Sequence, residues 1–339
     1  MAPPSVGSIM DSRFQRITAD NASRLTQVGQ LRPSLPSHTS GQKLAFEPGS
    51  AVLLALSNGG TPLRWWDVET SSEGLLHLHE QQFEGGAAML LDAERILTVG
   101  PANLSISGLW RPRLVTLSTK DGALVREQHL THAMIRFAMS AGGERALLIP
   151  LEGDAPLVWD LKSWRLHCEL APLDGGVSVT ACALSPDGRF AAATFTSDDG
   201  RGTNLWLWDI AEGARPVALS VDAPTTWSLA FHPTEPLLVV GGITEDVAVV
   251  HVGEHRRVKT LPGFRGYACN LSFNPQGDLL AASRDGRGFG VHRFDTGEEL
   301  FRSSDGDDLQ TSDAVFSPNG RLVAWGRGDG TVELWAVTD

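Results

Sequence analysis

Along the chain, apolar and polar residues alternate in short runs that are broken by turns rich in Pro, Gly, Asn and Asp. An alternation of period two predicts strands with one buried face rather than amphipathic helices. The runs assemble into a recurring unit: an apolar strand, a tight turn, a second strand, a polar turn, and a third strand ending near an aromatic. Taking the last apolar residue before the first turn as marker gives Phe46, Leu90, Phe137, Leu184, Phe231, Phe273 and Phe316. Their spacings are 44, 47, 47, 47, 42 and 43 residues. Helical solenoids share that period, but the β-branched and aromatic content of these runs selects a strand-based unit.

The turns are the most regular feature. Ser185-Pro-Asp-Gly188, Asn274-Pro-Gln-Gly277 and Ser317-Pro-Asn-Gly320 place Pro where φ sits near −65° and Gly where φ can be positive. Glu47-Pro-Gly49 and His232-Pro-Thr-Glu235 are looser versions, and Asp92-Ala-Glu94 and Ser140-Ala-Gly-Gly143 reverse the chain without Pro. An apolar run such as Phe190-Ala-Ala-Ala193 or Leu322-Val-Ala-Trp325 follows. Seven units of this kind predict an all-β fold: a single seven-bladed β-propeller of four-stranded antiparallel blades.

Trp66-Asp67, Trp159-Asp160 and Trp208-Asp209 end third strands, as does Trp335 with Ala336 after it. With these endings the pattern resembles the WD40-repeat family over about residues 22–339. That family often sets a Gly-His before the inner strand, its His bonded to an Asp in the turn before the Trp strand. This chain has Gly263-Phe264 at the best-aligned position, and only the seventh unit keeps the turn, as Asp329-Gly330. Apolar packing is therefore expected to replace most of that polar network, with Trp66, Trp159, Trp208 and Trp335 between blades, Trp206 extending the packing and Trp325 filling space.

Radial repetition removes free edges only if the last blade is sealed to the first. The seventh unit ends at Trp335-Ala-Val-Thr-Asp339 with no residues for a fourth strand, whereas Arg24-Leu-Thr-Gln-Val-Gly-Gln-Leu31 alternates and is one strand too many for blade one. It is expected to complete blade seven, a swap that the resemblance also implies. Residues 1–12, with Pro3-Pro4 and little periodicity, read as a flexible tail on a propeller of residues 13–339.

Composition narrows the chemistry. A formal net charge of −12 disfavours nucleic acid and anionic lipid as partners. No apolar run is long enough for a membrane span and no signal peptide is recognisable, so a cytoplasmic, monomeric propeller is expected. Cys168, Cys182 and Cys269 form no CxxC pair and read as buried thiols. His77-Leu-His79 has no further ligand in register and reads as a solvated outer strand. With no HExxH, P-loop or nucleophile elbow, neither metal nor cofactor is expected.

What remains is surface. Trp110, in a long second-to-third-strand loop, is either a partner anchor or an aromatic folded back on its blade. Trp227, at the start of the fifth inner strand, lies near the channel mouth, where it either packs or binds. Loops on the same rim gather Glu80, Glu84, Asp154, Asp174, Asp198, Asp199, Asp222, Glu245, Asp246, Asp305, Asp307 and Asp308, with Arg201, Lys259, Arg265, Arg284 and Arg287 among them. Such acids are either solvated or steer a basic peptide or domain, with Asp222, Arg265, Asp305, Asp307 and Asp308 as candidate contacts. The resemblance implies a non-catalytic scaffold or adaptor, a subunit of a larger complex. The alternative is an enzyme using channel-facing residues for a small molecule or metal. Inner strands such as Thr180-Ala-Cys-Ala-Leu184 and Asn270-Leu-Ser-Phe273, which carry mostly small polar and apolar side chains, favour the scaffold.

Overall fold

A computed structural model describes residues 14–31, 42–49, 51–57, 63–68, 72–76, 88–92, 94–101, 112–132, 134–150, 154–172, 178–196, 204–211, 215–221, 226–242, 245–264, 268–284, 288–303, 313–327 and 330–338. Their strands form seven antiparallel four-stranded sheets, each running from an inner strand outwards in chain order, except the last. The inner strands are Gln42–Phe46, Ala88–Asp92, Met134–Met139, Ser178–Leu184, Thr226–Phe231, Ala268–Phe273 and Ala314–Phe316, for blades 1 to 7. Blade 7 takes its outer strand from the other end of the chain, as expected: Thr26–Leu31 pairs with Val332–Ala336, from Thr26 opposite Ala336 to Leu31 opposite Val332.

Burial follows the alternation. Seven apolar clusters lie between consecutive blades, each lined from both sides. The tryptophans that end third strands pack towards the preceding blade, as expected: Trp66 against blade 7, Trp159 against blade 2, Trp208 against blade 3 and Trp335 against blade 6. Trp206 extends the Trp208 face onto Phe195, and Trp325 meets Phe289 at 5.6 Å between centroids. The residue after Trp208 acts within its own blade. Asp209 is buried and takes a two-pronged bond from Arg189, which opens the second strand. Packing each blade on its neighbour through large rings ties the ring together with little dependence on polar networks.

A polar device is nevertheless present, and it differs from the one that the resemblance implies. The residue that opens the first turn of a blade accepts a hydrogen bond from the backbone N–H five positions on: Ser140 from Arg145, Ser185 from Phe190, Asn274 from Leu279 and Ser317 from Leu322, at 2.8–3.1 Å. All four side chains are buried, so each bond replaces water that the turn cannot reach. The alignment of these turn clamps moves the blade 3 marker: Met139, not Phe137, precedes Ser140. Phe137 and Met139 lie two apart on the same strand face, and apolarity alone did not separate them.

Blade 5 has His232 at this position, and its ring joins two blades. Nδ1 accepts from the N–H of Glu235 at 2.9 Å and of Thr234 at 3.3 Å, so the proton resides on Nε2, which donates to the Gly277 carbonyl of blade 6 at 3.0 Å. Phe273 and Phe294 flank the ring. Burial holds the imidazole pKa below its ordinary 6.5, with Lys259 pushing the same way and Glu235 and the Gly277 carbonyl opposing. A histidine whose folded pKa is depressed stabilises fully above the unfolded value and loses that contribution as pH falls from about 6.5 through the folded value. The melting temperature of the wild type is therefore expected to drop between pH 7.5 and 5.5 by more than that of His232→Asn. Equal drops would show that the imidazole is not the group responsible.

Candidate functional site at the mouth of the channel

In an antiparallel blade the inner strand starts at one rim and the first turn lies at the other. The starting rim also carries the loops between second and third strands. Among the residues predicted for this rim, Trp110, Asp222, Arg265, Asp305, Asp307 and Asp308 lie outside the described residues, as do His77 and His79. Trp227 is described, and so are Asp154, Glu245 and Asp246.

Trp227 owes its position to a backbone irregularity that recurs around the ring. In blades 3 to 6 the inner strand carries one residue that the second strand does not pair: Ile135, Thr180, Trp227 and Cys269. Each lies five positions before the residue that opens the first turn, Ser140, Ser185, His232 or Asn274. An unpaired residue of this kind bends the strand and redirects a side chain. In blade 5 that side chain is an indole, 36% exposed, between buried Thr226 and Ser228. Ser228 fixes the strand laterally, its Oγ accepting the Leu271 N–H of blade 6 at 2.8 Å. An amphipathic ring is thereby held out at the mouth by neighbours that are locked in place.

Around it the same rim presents polar groups. Arg136, exposed beside the blade 3 bulge, donates to the Thr180 carbonyl of the next inner strand at 3.3 Å. His132 and Asp154 meet at 2.7 Å across two loops of blade 3. Glu245 and Asp246 are exposed in the second-to-third loop of blade 5. Lys259 departs from expectation: its ammonium donates to the Phe294 and Asp295 carbonyls and lies 4.4 Å from the Phe294 ring centroid, at the opposite end of blade 6. Its charge is spent on joining blades 5 and 6 and is withdrawn from the rim.

The inner strands hold one further group that sequence reasoning missed. Asp313, buried just before the blade 7 inner strand, accepts the Leu44 N–H of blade 1 at 2.9 Å. It stands three residues before Phe316, as Ser228 stands three before Phe231, so the two side chains do the same work at two seams. Asp and Ser differ too much in type for this equivalence to be read from the chain. The bulges were equally hidden, since Ile, Thr, Trp and Cys share no chemistry.

Among the described residues no three His, Cys, Asp or Glu side chains gather as a metal site. Burial pushes the Cys182 thiol, on the blade 4 inner strand, up to about 12, which keeps it from serving as a thiolate nucleophile at neutral pH. The described residues include no helix long and apolar enough to cross a membrane.

Residues 168–209, from the outer strand of blade 3 through the third strand of blade 4, match the family model "WD domain, G-beta repeat". The chain is 24% identical over 184 residues to WD repeat-containing protein SL1-17 of Schistosoma mansoni, covering 54% of this chain and 58% of that one. It is 41% identical over 58 residues to WD repeat domain-containing protein 83 of Homo sapiens and, equally, of Mus musculus, or 17% of each chain. The matches thus span less than two thirds of each relative's length. The chain is thus similar to WD40-repeat proteins: it folds as seven four-stranded blades, its matched segment runs from the outer strand of one blade through the third strand of the next, and the relatives it matches are named for WD repeats.

Proposed function

We infer that this propeller is a non-catalytic protein-interaction module, an adaptor or subunit of a larger assembly, that binds partners on the rim where its inner strands begin. Trp227 carries this reading: an indole held out at the channel mouth by a strand bulge is the kind of rigid, amphipathic anchor around which binding energy concentrates. The acids of the same rim, Asp154, Glu245 and Asp246, extend in sequence to Asp222, Asp305, Asp307 and Asp308 and favour a basic peptide or domain, with Trp110 and Arg265 as further contacts. The chain's net charge of −12 adds long-range steering of such a partner.

The test is affinity capture from a lysate of the source organism, with the wild type, Trp227→Ala and Asp305→Lys/Asp307→Lys/Asp308→Lys as baits of equal thermal stability. The tryptophan variant is expected to lose a defined basic partner by about tenfold or more. The charge reversal is expected to slow its capture most at low salt. Equal recovery by all three baits would refute the rim as the binding face.

A further inference from the structure

Large apolar side chains left in solvent are few among the described residues: Leu124 (51% exposed), Val125 (53%), Leu166 (42%) and Trp227 (36%). Trp227 belongs to the channel mouth. The other three lie on the outer strands of two adjacent blades, Leu124–His129 in blade 2 and Arg165–Glu169 in blade 3.

Their positions are related by the repeat. In the outer strands of blades 2, 3, 5 and 6 the ladder skips one residue: Val125, His167, Val258 and Leu300. The residue just before it is charged in blades 5 and 6, Arg257 and Glu299, which is how natural proteins protect sheet edges from unwanted pairing. In blades 2 and 3 it is Leu124 and Leu166. The outer strand of blade 2 is exposed along its whole length.

Blade 6 shows what this place accepts. Its skipped residue, Leu300, packs into the cluster that contains Ile17, Ala22 and Leu25, and the 3-10 turn Ala22–Arg24 lies against the outer strand Glu299–Arg302. A short aliphatic turn thus seats on the bulge of an outer strand. Val125 is the counterpart of Leu300 and is open to solvent. The charge next to it is also uncommitted: the Arg126 guanidinium lies 5.1 Å over the Trp164 ring of blade 3 and has no carboxylate partner among the described residues. That stack joins the two blades, and Leu166 follows Trp164 by two residues on the outer strand of blade 3. Beneath it the indole N–H groups of Trp159 and Trp164 are buried without an acceptor, whereas the equivalent Trp208 donates to the Ala171 carbonyl at 3.2 Å.

We propose that the outer face of blades 2 and 3 is a second docking surface, for a partner's short aliphatic turn flanked by carboxylates. The aliphatic side chains cover Val125, Leu124 and Leu166, and a carboxylate pairs with Arg126. The surface lies away from the channel mouth and takes the opposite charge, so one propeller could hold two partners at once.

The probe is a fluorescein-labelled peptide copying residues 14–25, the turn that covers blade 6, with Arg16→Glu and Arg24→Glu to supply carboxylates. Anisotropy titration with the full chain is expected to give saturable binding that weakens at least about tenfold in Leu124→Asp/Val125→Asp. Arg126→Gln is expected to weaken it and remove its salt dependence, while Ser220→Asp, exposed on the blade 4 outer strand, leaves it unchanged. Leu124, Val125 and Ser220 face solvent, so variants at these positions should melt at the wild-type value, whereas Arg126→Gln gives up the stack on Trp164 and should melt slightly lower. Absence of saturable binding to the wild type overturns the proposal. So does equal binding to the double variant, which would mean that the peptide displaces the chain's own turn from blade 6. Dimers of the protein alone that dissociate in the double variant would overturn it in favour of self-association.

Discussion

Removal of residues 1–32 is expected to leave a protein that aggregates and lacks a cooperative melting transition, whereas removal of residues 1–12 leaves both elution and melting unchanged. The longer deletion takes away Thr26–Leu31 and exposes the free edge of Val332–Ala336, including the edges of blade 7 next to buried Leu334 and Ala336. An unpaired apolar edge of this kind templates association. The same deletion removes Ile17, Ala22 and Leu25, which are 1%, 0% and 4% exposed between blades 6 and 7. Burial of an Ile and a Leu contributes about 1.5–3 kcal/mol each, a large fraction of the roughly 5–15 kcal/mol typical of a whole fold. Residues 14–25 are anchored besides by hydrogen bonds from Gln15 N–H to the Val337 carbonyl and from Ile17 N–H to the Gly320 carbonyl. A deletion of residues 1–25 should therefore fall between the two, folded but markedly less stable. Light scattering and thermal melts on the three truncations would establish the order. A 1–32 truncation that elutes and melts as the full chain does would show that the ring closes without this strand.

The second large effect is expected from a single methyl group. Gly188, Gly277 and Gly320 close the same turn in three blades and share a positive φ of 70–81°. Alanine in that conformation costs about 1–2 kcal/mol at any of them. The surroundings then separate the three. A Cβ at position 320 meets nothing closer than 3.3 Å; at 188 it meets the Arg145 Cδ at 2.8 Å, the flexible part of a long side chain; at 277 it lies 2.2 Å from His232 Nε2. The imidazole cannot retreat, because two backbone N–H groups hold Nδ1 and two phenylalanine rings flank it. Gly277→Ala should cost on the order of 3–4 kcal/mol or more, in the range of severe core overpacking, with Gly188→Ala next and Gly320→Ala least. Urea denaturation would rank them. His232→Ser introduced alongside Gly277→Ala should recover part of the loss, since it removes the ring that the methyl strikes. A flat ranking, or no recovery, would place the cost in backbone conformation alone.

The clash at Gly277 also marks the limit of sequence reading. Ser185-Pro-Asp-Gly188 and Asn274-Pro-Gln-Gly277 announce their turns because Pro and Gly are required by local dihedral angles, and local requirements are written in local residues. That His232 of blade 5 would reach the carbonyl of Gly277 in blade 6 is a contact over 45 positions, and neither residue records it alone. Lys259 is a similar case. Its place in the chain suggested a rim charge, and only the packing of blade 5 on blade 6 sends its ammonium to the Phe294 carbonyl. Among the candidate site residues, Trp227 was legible as an aromatic near a strand start, but the bulge that turns it outwards was not, because a bulge depends on what the partner strand leaves unpaired.

The linear chain by itself determined the number of blades, the position of most first turns and the exchange of the first strand into blade 7. These follow from a hydrophobic period of two, from residues suited to tight turns and from counting strands at the two ends. Tertiary structure alone decided the bulges of the inner strands, the Ser228 and Asp313 links between neighbours, the aromatic seams and the exposed leucines of blades 2 and 3. The bulges depend on which residue the neighbouring strand of the blade leaves unpaired, and the links, seams and exposed leucines on the relative placement of two blades about 45 residues apart, where the free energy of a side chain is set by which groups it meets and no longer by the segment it came from.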